Sequence, residues 1–217
     1  DFTATVQAFR QAFKQNAPFG YEVGVEDAYT QLDKWHANIM EIEQKANSLR
    51  DREQLATLPK HSLAAHYLNF VTTEGISADG LAEPSEDMRS LRNLDEDLLL
   101  FAHRPRDLHD LWHTLTNYGR DELGEVCLLA FTCAQSPNRG IAFIALVGAY
   151  QMIKRYGWAV PKTVLSAYRD GKNAEWLPAQ DWEALLRQPI GQVRAKLNIR
   201  PPQRYQHIRR FDLMADG

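Results

Sequence analysis

The chain is poor in cysteine, and its apolar runs are short. Only two of its 217 residues are cysteines, Cys127 and Cys133. On one predicted helix they would point in different directions, so we expect no disulfide between them and favour a reducing compartment. The longest apolar run, Ile141 to Met152, is too short to span a bilayer. The start of the sequence also lacks the pattern of a signal or transit peptide.

A surplus of basic residues is also missing. Lysine and arginine number 25 against 28 acidic residues, which gives a net charge of -3 and an isoelectric point near 6.2. Nucleic-acid-binding proteins usually carry a basic patch, so we expect no nucleic-acid partner. A hydrophobic content of 44% with 24% charged residues is ordinary for a globular chain of this length.

Helical spacing of apolar residues dominates the chain, and alternating strand patterns are scarce. One apolar stripe runs through residues 2–13 and a second through residues 32–46. Ser62 is placed to cap a further helix, and a charged helix is expected from about Ser85 to Ala102. The sequence therefore predicts an all-α fold, a single-domain helical bundle that covers residues 1–217.

Turn residues divide the second half of the chain into helices. The run from Ile141 to Tyr156 is apolar nearly all round and predicts a buried helix, whose small residues suit either an isoprenoid ligand or close helix packing. Pro161 should begin a helix that Gly171 closes, and the last helix should run from Pro189 to Leu197. Residues 200–217 are expected to form an extended tail, whose arginines either contact anionic lipid or a partner, or are simply solvated. These arginines are Arg200, Arg204, Arg209 and Arg210.

The residues best suited to chemistry lie just before the middle of the chain. His109 and His113 are four apart, so on a helix they lie one above the other, and Asp110 borders the same face. Two imidazoles and a carboxylate at the start of a helix are suitable ligands for a transition metal. Histidines at this spacing also occur on helices that bind no metal, so spacing alone leaves both interpretations open.

A fourth ligand is available in Glu125, twelve residues after His113. In one straight helix its Cα would lie roughly 18 Å from that of His113. Asn117-Tyr118-Gly119 is a helix-ending signal, and Asp121 can open a second helix. A helical hairpin with its break near Gly119 would let Glu125 face the histidines, so the metal site is predicted on a helical hairpin of the bundle.

These residues also carry a family resemblance. The pattern H-D-x-x-H, then eleven residues and a Glu, is the hallmark of the coenzyme Q (ubiquinone) biosynthesis protein four family, and this chain resembles it at every position. The matching residues are His109, Asp110, His113 and Glu125. The resemblance implies an all-helical protein in which these four side chains bind one divalent metal, with zinc as the expected ion.

The residues around the motif are similar to the family as well. Arg104 and Arg106 stand where the family has R-x-R ahead of the motif, and Gly124 stands where it has the glycine of a G-E pair. Leu58 to Tyr67 resembles an upstream family segment, and Trp182 with the segment from Arg194 to Ile199 resembles the family's C-terminal end. The resemblance thus spans about residues 50 to 200.

The chain departs from the family at two positions of the upstream segment. His61 and Ala64 stand where the family usually has glycines. Glycine allows backbone conformations and close approaches that other residues do not, so the turn geometry there is open to change. The pocket entrance and the substrate range are therefore less defined than the metal centre.

The resemblance implies a role in ubiquinone biosynthesis. The implied reaction is loss of the ring C1 carboxylate from a 4-hydroxy-3-methoxy-5-polyprenylbenzoate, which would make the protein a carboxy-lyase. In some members this loss is coupled to hydroxylation at the same carbon. A longer-standing interpretation makes the family a non-catalytic, prenyl-lipid-binding scaffold for the other biosynthetic enzymes, and that alternative stays open.

The resemblance also implies partners and a location. The partners are a polyprenylated aromatic substrate, membrane lipid in peripheral contact, other ubiquinone-biosynthesis enzymes and further copies of this chain in a homo-oligomer. The expected location is the cytoplasmic side of the inner membrane in a bacterium, or the matrix side of the mitochondrial inner membrane in a eukaryote.

The chemistry of decarboxylation sets requirements for this site. A metal could act as a Lewis acid only with an open coordination position, whereas four protein ligands that close a tetrahedron would make a structural site. Arg104 and Arg106 could bind the substrate anion or lie exposed. A zinc peptidase is the rival enzyme class, because H-D-x-x-H differs from H-E-x-x-H at one carboxylate, but Asp110 is one methylene shorter than the general base of that motif. No catalytic residue is assigned beyond the metal ligands.

Overall fold

A computed structural model of the chain describes residues 52–76 and 108–215, with side chains to residue 211. Within these ranges the regular secondary structure is helical, apart from one isolated bridge between Ser62 and Pro189. The all-α prediction is confirmed.

Three of the predicted elements lie outside the described residues. They are the apolar stripes at residues 2–13 and 32–46 and the charged helix from Ser85 to Ala102.

The described residues form nine α-helices and one short 3-10 turn at Leu177–Ala179. The helices are α1 (Arg52–Ala56), α2 (Leu63–Thr73), α3 (His109–Thr116), α4 (Glu122–Gln135), α5 (Arg139–Tyr156), α6 (Ala159–Asn173), α7 (Trp182–Leu186), α8 (Ile190–Lys196) and α9 (Gln203–Ala215).

The described residues divide into two compact units. Unit A comprises Thr116–Glu175 and the chain from Arg200 onward, and in it α4, α5 and α6 pack against one another while α9 contacts α4 and α6. Unit B comprises residues 52–76, residues 108–115 and Trp176–Ile199, and in it α2 packs against α1, α7 and α8. The number of domains stays a prediction.

The start of α2 is fixed as the sequence predicts. Ser62 has an extended backbone, and its side chain accepts a hydrogen bond from the Ala65 N–H at 3.2 Å, which satisfies a donor that the first turn would leave unpaired. The Leu63 N–H donates to the Gln188 carbonyl at 2.8 Å, and the Ile190 N–H donates to the His61 carbonyl at 3.1 Å. These bonds join the start of α2 to the start of α8.

Helix α5 is not buried all round, so that prediction is wrong. Leu146 and Tyr150 are 68% and 73% exposed, and Phe143 is also exposed. The buried residues of the helix are mostly small: Ala145, Gly148, Ala149 and Met152. Because α4 and α6 both pack against α5, small residues allow a close approach on the covered side. Close packing therefore explains the small residues, and an apolar face points outward.

The sequence predicted that Gly171 ends its helix, and this prediction is wrong. Helix α6 begins at Ala159, which leaves Pro161 in the first turn, and it continues to Asn173. A Cβ on Gly171 would lie 2.5 Å from the Phe131 carbonyl oxygen, so no side chain fits there. The glycine is needed for the close approach of α4 and α6 rather than for termination.

The tail predicted to be extended is mostly helical. Residues 200–217 contain α9, which begins directly after Pro201-Pro202. Tyr205 on this helix is buried, and Arg209 Nε lies 3.3 Å from Asp121 Oδ2. The interpretation of these arginines as simply solvated is therefore wrong for Arg209. Burial of the Tyr205 ring stabilises this helix, although most residues of the segment are polar.

Cys127 and Cys133 are both free, as predicted, with Cys127 buried and Cys133 partly exposed. Among the described helices, none has the length and apolarity that crossing a membrane requires.

Candidate metal centre

Helix α3 carries the predicted ligands at its start. Leu111, Trp112 and Leu115 are buried in unit B, which fixes the rotation of the helix about its axis. His113 is only 1% exposed, whereas His109 and Asp110, in the first turn, are partly exposed. One edge of the helix start is thus open while the rest is covered.

The structure brings the three predicted ligands of α3 together. The Nε2 atoms of His109 and His113 are 3.1 Å apart, and the two rings stand nearly perpendicular with centroids 4.7 Å apart. One potential ligand atom from each of the two histidines and Asp110 lies within 4.8 Å of the others. Two zinc–nitrogen bonds at a tetrahedral angle place their nitrogens about 3.3 Å apart, so this donor set fits a divalent metal.

The same 3.1 Å separation also fits a hydrogen bond between the imidazoles. One ring nitrogen would donate and the other accept, and the tautomers decide which. Geometry alone therefore leaves metal binding to be tested. A metal would replace this contact, because both nitrogens must be unprotonated to bind it.

Unit B holds His113 and the end of α3 through residues that are distant in sequence. The Phe70 ring of α2 stacks on the His113 ring, with centroids 5.6 Å apart and an interplanar angle of 20°. Arg194 of α8 donates from Nε to the Leu115 carbonyl at 2.8 Å and from Nη2 to the Thr114 carbonyl at 2.9 Å. Burial lowers the pKa of the Arg194 guanidinium, but arginine stays charged at neutral pH. Its charge stabilises the carbonyl end of α3.

The chain turns where the sequence predicts, between Thr116 and Glu122. Asn117 ends α3 with a positive φ of 61°, and Asp121 caps α4 by accepting the Gly124 N–H on Oδ1 at 3.2 Å. The predicted helix break near Gly119 is confirmed.

Glu125 lies in unit A, in the first turn of α4. Its side chain is 25% exposed, and its Oε1 atom lies 4.0 Å from Arg120 Nε. The group formed by His109, Asp110 and His113 belongs to unit B. The role of Glu125 as a fourth metal ligand stays a prediction.

Gly124, the glycine before this glutamate, is required by packing. A Cβ at this position would lie 2.1 Å from the Gly119 carbonyl oxygen, which is backbone and has little freedom to move. The turn thus folds directly onto the first turn of α4. This contact gives a physical reason for the glycine of the G-E pair.

Sequence reasoning missed the residues that support the turn from a distance. Tyr205 and Arg209 of α9 contact Asp121, and Arg194 binds the end of α3. The resemblance of the segment from Arg194 to Ile199 was a signal for the last of these. No local pattern indicated Tyr205, because its partners are more than 80 residues away.

The residues of the candidate site also lie within a match to a known protein family. A family model described as coenzyme Q (ubiquinone) biosynthesis protein Coq4 matches residues 37–203, which is most of the chain and includes the whole motif. The chain belongs to this family.

Curated relatives of this Coq4-family chain are named ubiquinone biosynthesis proteins of mitochondria. The protein of Podospora anserina is 28% identical over 158 residues, covering 72% of this chain and 50% of the relative. The rat homologue is 28% identical over 159 residues, covering 73% of this chain and 58% of the relative. The chain thus spans about half the length of the curated relatives it matches.

A solved structure shares the fold. A protein from Nostoc punctiforme PCC 73102, provisionally named a ubiquinone biosynthesis protein, superposes with a TM-score of 0.57 over 90% of this chain and 94% of its own. Its sequence identity is 18%, so this likeness concerns the fold alone.

The departures from the family pattern cause no backbone strain. Among the described residues other than glycine, only Asn117 and Asn198 have a positive φ, so His61 and Ala64 adopt ordinary conformations. Ala64 is fully buried in α2, and His61 is exposed. The predicted substrate-binding residues Arg104 and Arg106 lie outside the described residues, and their role stays a prediction.

Proposed function

We propose that the chain acts in ubiquinone biosynthesis as a metal-dependent carboxy-lyase. The observation that carries this proposal is the group of His109, Asp110 and His113, whose ligand atoms converge at the partly exposed start of a buried helix. Membership of the Coq4 family supports the pathway. The proposed substrate is a 4-hydroxy-3-methoxy-5-polyprenylbenzoate, which loses its C1 carboxylate.

The three α3 residues would hold one divalent ion, and Glu125 is the proposed fourth ligand. Zinc is the proposed ion because it accepts imidazole and carboxylate ligands in this combination. A bound ion of this kind supplies a Lewis acid for the carboxylate or phenolate oxygen of the substrate. The exposure of His109 and Asp110 supports an open side to the site, as a catalytic site requires.

The proposed reaction balances without an oxidant. A proton adds to C1 while the oxygen at C4 donates electron density into the ring. The bond from C1 to the carboxylate then breaks, its electron pair restores the aromatic ring, and carbon dioxide leaves. On the protein side, Arg104 and Arg106 are proposed to bind the carboxylate before it leaves. Phe70 covers the His113 ring and keeps water from that side.

The exposed face of α5 supports contact with apolar partners. Phe143, Leu146 and Tyr150 lie outward on this helix, and Trp158 beyond it is also largely exposed. We assign to this face the peripheral contact with membrane lipid. The same face favours the scaffold alternative, so turnover and not lipid binding must decide between the two functions.

Replacing His113 by Ala should abolish stoichiometric metal and slow carbon dioxide release at least a hundredfold, about 3 kcal/mol in barrier. The reason is that each ligand contributes directly to metal affinity. Metal content is measured by plasma mass spectrometry, and turnover by trapping carbon dioxide from a prenylated hydroxybenzoate. His66→Ala is the matched control, because His66 is an exposed histidine of unit B and its loss should change neither quantity.

Two results would contradict the proposal. Full metal content in the folded His113→Ala variant would show that His113 is not a metal ligand. A folded Glu125→Ala protein that turned over at the wild-type rate would remove Glu125 from the proposed ligands, whereas a metal-loaded wild-type protein without turnover would favour the scaffold. Parallel assays with and without oxygen separate simple decarboxylation from loss of the carboxylate coupled to hydroxylation.

A further inference from the structure

The turn that leads into Glu125 is held by one hydroxyl group from the C-terminal helix. The Gly119 N–H donates to Tyr205 Oη at 2.9 Å, and the Tyr205 hydroxyl in turn donates to Asp121 Oδ2. The hydroxyl thus bridges two turn residues that are two apart in sequence. Tyr205 itself is buried, and its ring meets the Tyr118 ring edge to face with centroids 5.5 Å apart.

Asp121 connects the turn to the first turn of α4 through two hydrogen bonds. Its Oδ1 atom accepts the Gly124 N–H at 3.2 Å, and its carbonyl accepts the Glu125 N–H at 2.9 Å. Arg209 Nε, 3.3 Å from Oδ2, neutralises the carboxylate. A contact of Gly119 with Gly124 closes the turn, since a Cβ on Gly124 would collide with the Gly119 carbonyl. The backbone of Glu125 is therefore fixed from two sides.

The tyrosine hydroxyl stays a donor across the physiological range. Burial, followed by the hydrogen bond and the charge of Asp121, raises the pKa of the Tyr205 hydroxyl. A protonated hydroxyl can accept from Gly119 and donate to Asp121 at the same time.

We infer that Tyr205, supported by Arg209, is a positioning residue that orients Glu125 for metal binding. This inference rests on the proposed function, in which Glu125 is the fourth ligand. Groups that orient a ligand typically change metal affinity 10–100-fold when they are removed. Without the hydroxyl, the Asp121 carboxylate loses one of its two contacts with α9 and keeps only the ion pair with Arg209.

The test is a double-mutant cycle on metal affinity. Tyr205→Phe and Glu125→Gln are made singly and together in the full chain, and the dissociation constant for Zn²⁺ is measured by competition with a chromogenic chelator. Tyr205→Phe should weaken binding about tenfold in the wild-type background and should have no further effect with Gln at position 125. Tyr150→Phe is the control, because Tyr150 is 73% exposed and should bind as wild type.

Each other outcome overturns the inference and identifies the cause. Equal losses in both backgrounds, or no loss in either, would show that Tyr205 does not act through Glu125. If Glu125→Gln binds Zn²⁺ as wild type does, the proposed fourth ligand fails and the inference fails with it. Should Tyr205→Phe not fold, Arg209→Gln takes its place in the cycle, and Arg209→Lys, which keeps the charge, should restore affinity.

Discussion

At the scale of single residues, burial separates the two cysteines. Cys127 is fully buried in α4, and burial raises the pKa of its thiol, with the carboxylates of Asp121 and Asp170 adding to the rise. Cys133 is partly exposed, and its Sγ atom lies 3.8 Å from the Asn138 carbonyl oxygen. Because the thiolate is the reactive form, Cys127 is protected both by access and by ionisation.

Iodoacetamide at pH 8 should therefore label Cys133 at least about tenfold faster than Cys127, because Cys133 is partly exposed whereas Cys127 is buried and the pKa of its thiol is raised. The raised pKa means that ionisation is disfavoured in the folded state. Peptide mass spectrometry measures both rates. Urea should equalise them, and equal rates in native buffer would contradict the assigned burial.

At the scale of elements, the helices of unit A approach one another at residues without large side chains. Gly171 of α6 lies against the Phe131 carbonyl of α4, and Ala134 is also close. Helix α5 uses Ala145 and Ala149 in the same way. A small side chain lowers the distance between two helix axes and so increases the dispersion contacts of their neighbours.

Gly171→Ala should destabilise the protein by about 1–3 kcal/mol, because the added methyl group would force α4 and α6 apart. Gly191→Ala is the matched control. A Cβ at Gly191 in α8 meets no atom within 4 Å, so this substitution should cost nothing and could add up to about 1 kcal/mol through helix propensity. Urea unfolding followed by circular dichroism gives both values. Equal stability of the two variants would contradict the close approach.

At the scale of the whole molecule, each unit has buried side chains of its own. Unit B buries Trp112, Trp182 and Tyr67, and unit A buries Phe131 and Leu128. Such cores do not depend on a metal in the way that very small domains do. The candidate metal group therefore sits on a helix whose own packing should persist without the ion.

Removal of metal by a chelator should leave the far-ultraviolet circular dichroism nearly unchanged. The midpoint of urea unfolding should fall on removal and recover with added Zn²⁺, because a ligand that binds only the folded state stabilises it in proportion to the logarithm of its concentration. Glu125→Ala should lose most of this metal-dependent shift and keep its helicity. Collapse of the helical signal on chelation would instead identify a structural metal site.

The sequence by itself determined the features that depend on local spacing. His109, Asp110 and His113 converge because one helical turn brings residues four apart onto one face. Ser62 and Asp121 cap their helices because a side-chain oxygen reaches the N–H three residues on. These outcomes involve a few neighbouring residues, so a pattern of residue types was enough to predict them.

Only the tertiary structure decided which sides are covered and which distant groups support the site. The apolar pattern of α5 says nothing about which face its neighbours occupy, and the burial of Tyr205 in α9 follows from packing rather than from the polar segment around it. Arg194 meets Leu115 across 79 positions, and Tyr205 meets Asp121 across 84. Contacts between residues so far apart in sequence arise from the packing of whole helices, and local residue spacing does not predict that packing.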